Sequence, residues 1–224
     1  MNWNNLFKPA KKVPSTNWSS SDPMSLKPKF STITILIIGL WIFGTGDAII
    51  VAAGLGVAPW TVLAQGIAEQ INWTLGQTTF LVSAFVLLLW IPIKERPGLG
   101  TILNAILIAL AIDVMLPHLP KPEVYVLQII QVLIGTIFVG IGSGLYLTAN
   151  LGPGPRDGWM TGIQRITNIP VAKVRASIEI SVLLLGYYLG GTVGLGTVIF
   201  AIFIGHTVAI CLQLTKKIDI FFNN

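Results

Sequence analysis

Long apolar segments, separated by glycine, proline and charged residues, constrain this chain more than any other feature of its sequence. About 20 consecutive apolar residues are enough to cross the hydrocarbon core of a bilayer. Lipid offers no partner to free backbone groups, so such segments are expected to be helices. The sequence predicts an all-α polytopic membrane protein with six transmembrane helices: Ile33–Ala53, Thr78–Ile93, Thr101–Leu116, Val124–Ala149, Val171–Leu189 and Thr197–Leu214.

The composition excludes an ordinary soluble protein. Hydrophobic residues make up 53% of the 224 residues and charged residues only 10%, whereas a typical soluble domain is about 25% charged. The single cysteine, Cys211, excludes an internal disulfide. The two histidines, His118 and His206, are far apart in sequence and do not suggest a zinc site. We therefore expect the lipid bilayer as a partner, and no metal or cofactor.

Two further segments, Pro59–Ile71 and Pro155–Ile166, are expected to be helices that do not cross. Each follows a glycine-rich turn and begins with proline, which is well placed at the first position of a helix because its missing N–H needs no partner there. At 1.5 Å per residue each is too short to span a bilayer. They are either interfacial helices or re-entrant half-helices.

Basic residues indicate how the six helices are oriented. With the N-terminus in the cytoplasm, 13 of the 14 Lys and Arg residues lie on the cytoplasmic side, and only Lys121 lies outside. Basic loops are retained in the cytoplasm. The sequence therefore predicts a multi-pass protein of the bacterial inner membrane with both termini cytoplasmic: a basic, flexible tail over residues 1–30 and a short tail over 216–224. The net charge of +5 reflects this orientation rather than nucleic-acid binding.

The sequence repeats itself at an offset of 96 residues. Aligned positions include three glycines of the first span and of the fourth, the turns before Pro59 and Pro155, and the tetrapeptides Gly98–Thr101 and Gly194–Thr197. The offset divides the chain into two units, residues 31–118 and 119–215, and each unit contains three spans. An odd number of spans inverts the second unit relative to the first, which is a recurrent plan of secondary transporters.

The turn that precedes Pro155 is the strongest candidate binding site. Gly152 and Gly154 let the backbone approach a ligand, and the helix that begins at Pro155 presents free N–H groups beside Arg156. This combination suits a carboxylate, phosphate or sulfate. The alternative is that Arg156 and Asp157 pair within the protein or cap the helix. In the first unit Gly56, Pro59 and Trp60 form the matching half-site, which has no charge.

Three carboxylates lie in or near apolar spans. Placing a charged side chain in the hydrocarbon core costs at least about 2.5–3.5 kcal/mol of free energy, so such a residue is expected to have a pairing partner or a functional role. Asp47, in a Gly-Thr-Gly-Asp sequence, is the first candidate for a proton-coupling group; the alternative is a hydrogen-bonded helix contact. Glu179 is a second candidate, but it lies one helical turn after Arg175 and is equally expected to form a structural ion pair with it. Asp113 lies near the end of its span and is expected to reach water.

These motifs resemble the YczE/YitT group of bacterial integral membrane proteins, and the YczE branch in particular. The residues that carry the resemblance are Leu55–Trp60, Leu151–Gly158, Arg175 with Glu179, and Gly194–Thr197. The match covers about residues 33–214. It implies a polytopic inner-membrane protein and brings no activity, substrate or site residue with it. Thr61 stands where an acidic residue equivalent to Asp157 is expected.

The sequence thus favours a small secondary transporter or exporter of a small anionic or zwitterionic solute. The alternative is a non-transporting membrane protein that assembles with, or regulates, another complex through its basic cytoplasmic residues. A homo-oligomer is compatible with both hypotheses. No nucleophile–base pair, metal motif or phosphate-binding loop is visible, so we expect no enzymatic activity.

Overall fold

A computed structural model describes residues 13–223 of the chain, with side chains to residue 220. Within this range the fold is entirely helical, and no strand occurs. The helices are α1 (Phe30–Ala53), α2 (Pro59–Ile71), α3 (Leu75–Leu88), α4 (Trp90–Ile93), α5 (Leu99–Met115), α6 (Tyr125–Ala149), α7 (Pro155–Thr167), α8 (Val171–Tyr188) and α9 (Leu195–Asn223). The prediction of an all-α protein is confirmed.

Five helical segments of the described chain are long and apolar enough to cross a membrane. They are Phe30–Ala53, Leu75–Ile93, Leu99–His118, Tyr125–Ala149 and Leu195–Ile220. The sixth predicted span corresponds to α8, which is not among them, since Lys173, Arg175 and Glu179 all lie in its N-terminal half. Large apolar side chains on the outside of the bundle, such as Phe85 and Leu184, are more than half exposed, as expected for a surface in contact with lipid.

The helices recur at the 96-residue offset found in the sequence. Helix α2 spans Pro59–Ile71 and α7 spans Pro155–Thr167, so both are 13 residues long and both begin with the proline. Both end at an asparagine in the left-handed conformation, Asn72 and Asn168, a residue that tolerates this backbone geometry at helix ends. At about 20 Å, neither helix is long enough to cross the hydrocarbon core.

Helices α1 and α6 form the centre of the bundle, and glycines set their separation. A Cβ atom on Gly39 would lie 3.1 Å from the carbonyl oxygen of Gly142, and one on Gly46 would lie 2.7 Å from that of Gly135. These two contacts are equivalent under the 96-residue offset, because Gly39 corresponds to Gly135 and Gly46 corresponds to Gly142. Small residues allow this close approach between helices in lipid.

The two glycine-rich turns are each held by the opposite half of the chain. The N–H of Gly100 donates to the carbonyl of Leu151, and the N–H of Gly196 donates to the carbonyl of Leu55, both at 2.7 Å. A glycine follows each of these carbonyl groups: Gly152 has a φ angle of +101° and Gly56 has a φ angle of +98°. Residues with a Cβ atom rarely adopt such positive φ angles. Each half therefore positions the turn of the other.

Within the segment expected to be a flexible tail, residues 1–30, residues 18–20 are hydrogen-bonded to the bundle. The indole of Trp18 donates to the hydroxyl of Thr148, Ser19 donates to the Thr148 carbonyl, and the N–H of Ser20 donates to the carbonyl of Ala149. The last carbonyl groups of a helix have no hydrogen-bond donor within the helix. At the end of α6, Ser19 and Ser20 provide donors for two of these carbonyl groups. Residues 1–12 of the expected tail, with three of its lysines, lie outside the described residues.

Two other expectations differ from the structure. Helix α9 continues to Asn223, so the expected C-terminal tail begins as a continuation of the last helix. Asp113 does not simply reach water: its carboxylate accepts hydrogen bonds from the N–H of Gly76 at 2.7 Å and from the hydroxyl of Thr74. Since Gly76 lies in the first turn of α3, Asp113 satisfies a free N–H at the start of that helix.

Candidate functional site

A cavity of about 190 Å³ lies in the middle of the bundle, between the N-terminal ends of α2 and α7. Every long helix contributes to its wall. Its lining residues are Phe43, Asp47, Ala58, Pro59, Trp60, Thr79, Ser83, Asn104, Ile108, Val139, Ser143, Tyr146, Leu147, Gly154, Pro155, Arg156, Asp157, Met160, Arg175, Glu179, Phe200, Ile204 and Val208. The cavity thus brings charged and aromatic side chains together inside an apolar bundle.

Most of the residues singled out in the sequence line this cavity. Of the expected binding residues these are Pro59, Trp60, Gly154, Pro155, Arg156 and Asp157, and they are joined by Asp47, Arg175 and Glu179. Gly56 and Gly152 are not part of the wall. A Cβ on Gly56 would lie 2.4 Å from the backbone nitrogen of Gly194, and one on Gly152 would lie 3.1 Å from that of Gly98. These two glycines therefore shape the turns and do not line the cavity.

Arg156 reaches into the cavity from the first turn of α7. Its guanidinium carbon lies 5.2 Å from the centre of the Trp60 ring, within the range of a cation–π contact. Among the described residues it has no hydrogen-bond or ion-pair partner. No ion pair joins Arg156 to Asp157. Asp157 does pair within the protein, as the alternative expected, since it accepts a hydrogen bond from the hydroxyl of Tyr146 at 2.9 Å.

Asp47 is the most deeply buried charged residue of the cavity. It is 3% exposed and lies in the C-terminal third of α1. Its carboxylate makes no hydrogen bond or ion pair with any described residue, although Arg156 is close enough for the two charges to interact. Burying a carboxylate without a hydrogen bond is costly. The position is therefore one at which the structure leaves a polar group available to a solute.

The pair formed by Arg175 and Glu179 lies at the mouth of the cavity. The Nε of Arg175 is 2.8 Å from a carboxylate oxygen of Glu179, and the side chain of Arg175 is 54% exposed. The two residues are one turn apart on α8, which is the spacing that brings side chains together on a helix. Because each neutralises the other, this pair contributes less free charge to the cavity than Asp47 or Arg156 does.

Two uncharged polar groups that belong to the lining residues are also left without partners. The indole nitrogen of Trp60 and the hydroxyl of Thr79 are buried and make no hydrogen bond with any described residue. Buried polar groups in folded proteins are nearly always hydrogen-bonded. Both atoms are enclosed by the wall of the cavity, so either could reach a solute only if the surrounding side chains moved.

The N-terminal end of α7 is held by two side chains from the first half of the chain. The indole N–H of the buried Trp90 donates to the carbonyl of Pro155 at 2.9 Å, and the hydroxyl of Thr101 donates to that of Pro153 at 2.7 Å. Arg165, at the other end of α7, donates to the carbonyl of Ile93 and pairs with Glu95. The short helix is thus anchored at both ends, and its first turn is directed at the cavity.

The cavity is lined by residues that occupy equivalent positions in the two units. Nine pairs separated by 96 residues are present: 43 and 139, 47 and 143, 58 and 154, 59 and 155, 60 and 156, 79 and 175, 83 and 179, 104 and 200, and 108 and 204. Thr79, Ser83 and Ser143 were not singled out from the sequence. The offset could have found them, since they are the counterparts of Arg175, Glu179 and Asp47.

A second, wholly apolar cavity of about 410 Å³ lies between α3 and α8. Trp60 and Trp159 line it, with their rings in an edge-to-face contact at 6.3 Å between centres. Its outer residues Phe85 and Leu185 are more than half exposed. Since it offers no polar group to orient a charged solute, we assign it to lipid contact and regard the polar cavity as the candidate site.

No group of three His, Cys, Asp or Glu side chains in the described part of the chain is placed to hold a metal ion. The lining residues offer groups that can recognise charge. Arg156 provides a cation, Asp47 provides an anion, and the aromatic rings of Phe43, Trp60 and Tyr146 provide apolar walls.

Comparison with known proteins gives matches over most of the chain. A family model described as "Family of unknown function (DUF6198)" matches residues 30–213. An uncharacterized protein of Haemophilus influenzae is 46% identical over 213 residues, which cover 95% of this chain and 97% of that protein. The uncharacterized membrane protein YczE of Bacillus subtilis is 31% identical over 177 residues, which cover 79% of this chain and 80% of YczE. The uncharacterized protein YyaS of B. subtilis is 23% identical over 185 residues, which cover 80% of this chain and 92% of YyaS. No solved structure matches the chain.

Proposed function

The chain belongs to the DUF6198 family of membrane proteins, with YczE among its relatives, and on that premise we propose that it is a small secondary transporter of the bacterial inner membrane. The resemblance to the YczE group noted in the sequence is confirmed by these matches. The proposed solute is small and charged, either anionic or zwitterionic. The proposal includes no enzymatic step and no cofactor.

The observation that carries this proposal is the central cavity lined by equivalent residues of both units. We interpret the two units as inverted repeats, with α8 as a sixth span whose charged half lines the cavity instead of facing lipid. In transporters built from inverted repeats, the solute binds between the repeats, near the middle of the bilayer, and short or broken helices direct their N-terminal ends at it. The first residues of α2 and α7 line the cavity, which supports this interpretation.

In the proposed mechanism the two units rock about the central site. The solute's anionic group binds to Arg156 and to the free N–H groups in the first turn of α7, where the helix dipole also favours negative charge. Asp47 or Glu179 changes its protonation state as the units move. The reciprocal bonds from Gly100 to Leu151 and from Gly196 to Leu55 tie each turn to the opposite unit, so movement of one unit alters the half-site of the other.

The proposed orientation places both termini in the cytoplasm. It is supported by the distribution of Lys and Arg, of which only Lys121 lies on the outer side. The alternative function, a non-transporting partner of another complex, depended on a cytoplasmic cluster of four basic residues. Two of these, Arg156 and Arg175, line the cavity, and Arg165 pairs with Glu95. Arg165 and Arg175 are nevertheless more than half exposed, and Lys173 is exposed as well, so only Arg156 is withdrawn from the surface and the alternative stays open.

Reconstituted flux tests the proposal. The full-length protein in proteoliposomes is expected to exchange at least one member of a panel of small carboxylates, inorganic anions and amino acids, and the Arg156→Ala and Asp47→Asn variants are expected to reduce that exchange. Arg96→Ala and Glu69→Gln are matched controls, since both residues are exposed and lie outside the cavity. Flux equal to that of protein-free vesicles for every solute would reject transport and favour the partner function.

A further inference from the structure

We propose that the solute of the central cavity is a small zwitterion that carries an ammonium group and a carboxylate, in the size range of an amino acid. This inference rests on the proposed transport function and narrows it, because it excludes simple anions. It follows from which polar groups of the cavity are already paired and which are not.

The cavity has a site for a carboxylate at the start of α7. Arg156 is held against the face of Trp60 and has no hydrogen-bond partner among the described residues, and a guanidinium is suited to bind both oxygens of a carboxylate. The indole N–H of Trp60 is unpaired as well, but it is enclosed by the surrounding side chains and does not open into the cavity. Since the ring occupies one face of the guanidinium, the N–H groups at its edge remain available to the solute.

The cavity also has a separate site for a cation at Asp47. Asp47 is 3% exposed and its carboxylate is unpaired. Its charge interacts with that of Arg156, and the other lining residues include Phe43, one turn earlier on α1, and Ser143 and Tyr146 from α6. Phe43 and Tyr146 pack edge to face at 6.4 Å between ring centres. A carboxylate beside aromatic rings favours an ammonium group, which gains an ion pair and cation–π contacts there.

The charges of the cavity disfavour a solute with only one kind of charge. The wall contains two arginines and three carboxylates. Arg175 and Glu179 neutralise each other, whereas Asp157 keeps its charge, which the hydrogen bond from Tyr146 stabilises. An anion at Arg156 would bring a further negative charge close to the unpaired Asp47, whereas an amine at Asp47 would leave Arg156 without a partner. A zwitterion pairs with both groups, and each unpaired charge is costly in a buried site.

The size of the cavity limits the solute. Its volume is about 190 Å³, whereas pockets for drug-sized ligands measure roughly 300–1,000 Å³. Ile108, Val139, Ile204 and Val208 complete the wall with apolar groups. The solute that fits is therefore a short carbon skeleton with two charged ends, of which an aliphatic amino acid is the simplest example.

Two matched sets of solutes test the inference. The first is alanine, propionate and ethylamine, and the second is leucine, 4-methylpentanoate and isoamylamine. Within each set the skeleton is retained while the amine or the carboxylate is removed. Binding to the purified full-length protein is measured by calorimetry and by ligand-dependent thermal stabilisation. At least one amino acid is expected to bind ten times or more tightly than the acid and the amine of its set.

Variants assign the two ends of the solute. Asp47→Asn is expected to reduce amino-acid affinity to that of the matched acid, and Arg156→Gln to that of the matched amine, whereas Glu69→Gln and Arg96→Gln retain wild-type affinity. Asp47→Ser, which copies the equivalent residue Ser143, provides a second variant if the amide is poorly folded. Acids that bind as tightly as amino acids, amino-acid binding unchanged in both Asp47 variants, or no binding by any solute would each overturn the inference. If only a simple anion is transported, the inference of a zwitterionic solute is overturned while the proposed transport function stands. If no solute is transported, both the inference and the transport function are rejected.

Discussion

The indole ring of Trp60 and the guanidinium of Arg156 lie against each other in the central cavity, with 5.2 Å between the Cζ atom and the ring centre. These residues occupy equivalent positions in the two units, 96 residues apart, and each is the second residue of its short helix. The two half-sites therefore meet in the folded protein through residues of different chemistry. One contributes the charge, and the other contributes the surface that holds it.

Removing the ring of Trp60 is expected to weaken solute binding. Trp60→Leu deletes the cation–π contact, which is worth about 0.5–2 kcal/mol, so affinity for a carboxylate-bearing solute should fall roughly 2- to 30-fold. Trp60→Tyr retains an aromatic face and should lose less. Isothermal titration of both variants measures the effect, with Trp73→Leu as a control at a half-exposed position. Unchanged affinity in Trp60→Leu would show that Arg156 does not depend on the ring.

The equivalent threonines Thr101 and Thr197 are expected to contribute unequally to stability. Both accept a hydrogen bond from a backbone N–H three residues earlier. Thr101 also donates to the carbonyl of Pro153 at 2.7 Å. Thr101→Val leaves that carbonyl without its partner, which costs about 1–3 kcal/mol, and Thr197→Val should cost less. Thermal unfolding in detergent compares the two, and equal melting temperatures would contradict the role assigned to the Pro153 contact.

Adding one methyl group between α1 and α6 is expected to destabilise the bundle. A Cβ on Gly46 would lie 2.6 Å from the backbone nitrogen of Val139, and overpacking of this kind typically costs about 1–3 kcal/mol. Gly205→Ala is the matched control, because nothing lies within 4 Å of a Cβ there, and alanine is the better helix former by about 1 kcal/mol. A lower melting temperature is expected for Gly46→Ala and an equal or higher one for Gly205→Ala; the reverse order would contradict the packing.

Accessibility of single cysteines tests the proposed orientation. In a Cys211→Ala background, cysteine is introduced in place of the exposed residues Lys94, Lys121 or Lys217. A membrane-impermeant thiol reagent applied to intact spheroplasts should label the Lys121→Cys protein only, whereas lysis should expose the other two. Labelling of Lys94→Cys before lysis would contradict the proposed orientation.

The sequence by itself determined the class of the protein and the positions of its helices. Apolar runs of about 20 residues cannot be exposed to water, and in lipid their backbone groups must pair within a helix. Pro59 and Pro155 marked where the short helices begin, because proline is suited to the first helical position. The offset of 96 residues also related the two halves before any contact between them was known.

Tertiary structure decided which residues meet, and this is where the sequence was least informative. The hydropathy of Asp47 does not show that its carboxylate lacks a partner, nor does the sequence around Arg156 show that its guanidinium lies on Trp60 and not beside Asp157. Gly56 and Gly152 had the composition of a binding loop, yet they pack against the opposite unit. Local sequence governs backbone conformation, whereas the pairing of a buried charge depends on atoms brought together from distant segments. For this reason the site and its unpaired groups could be assigned only once α1, α2, α6 and α7 were placed around one cavity.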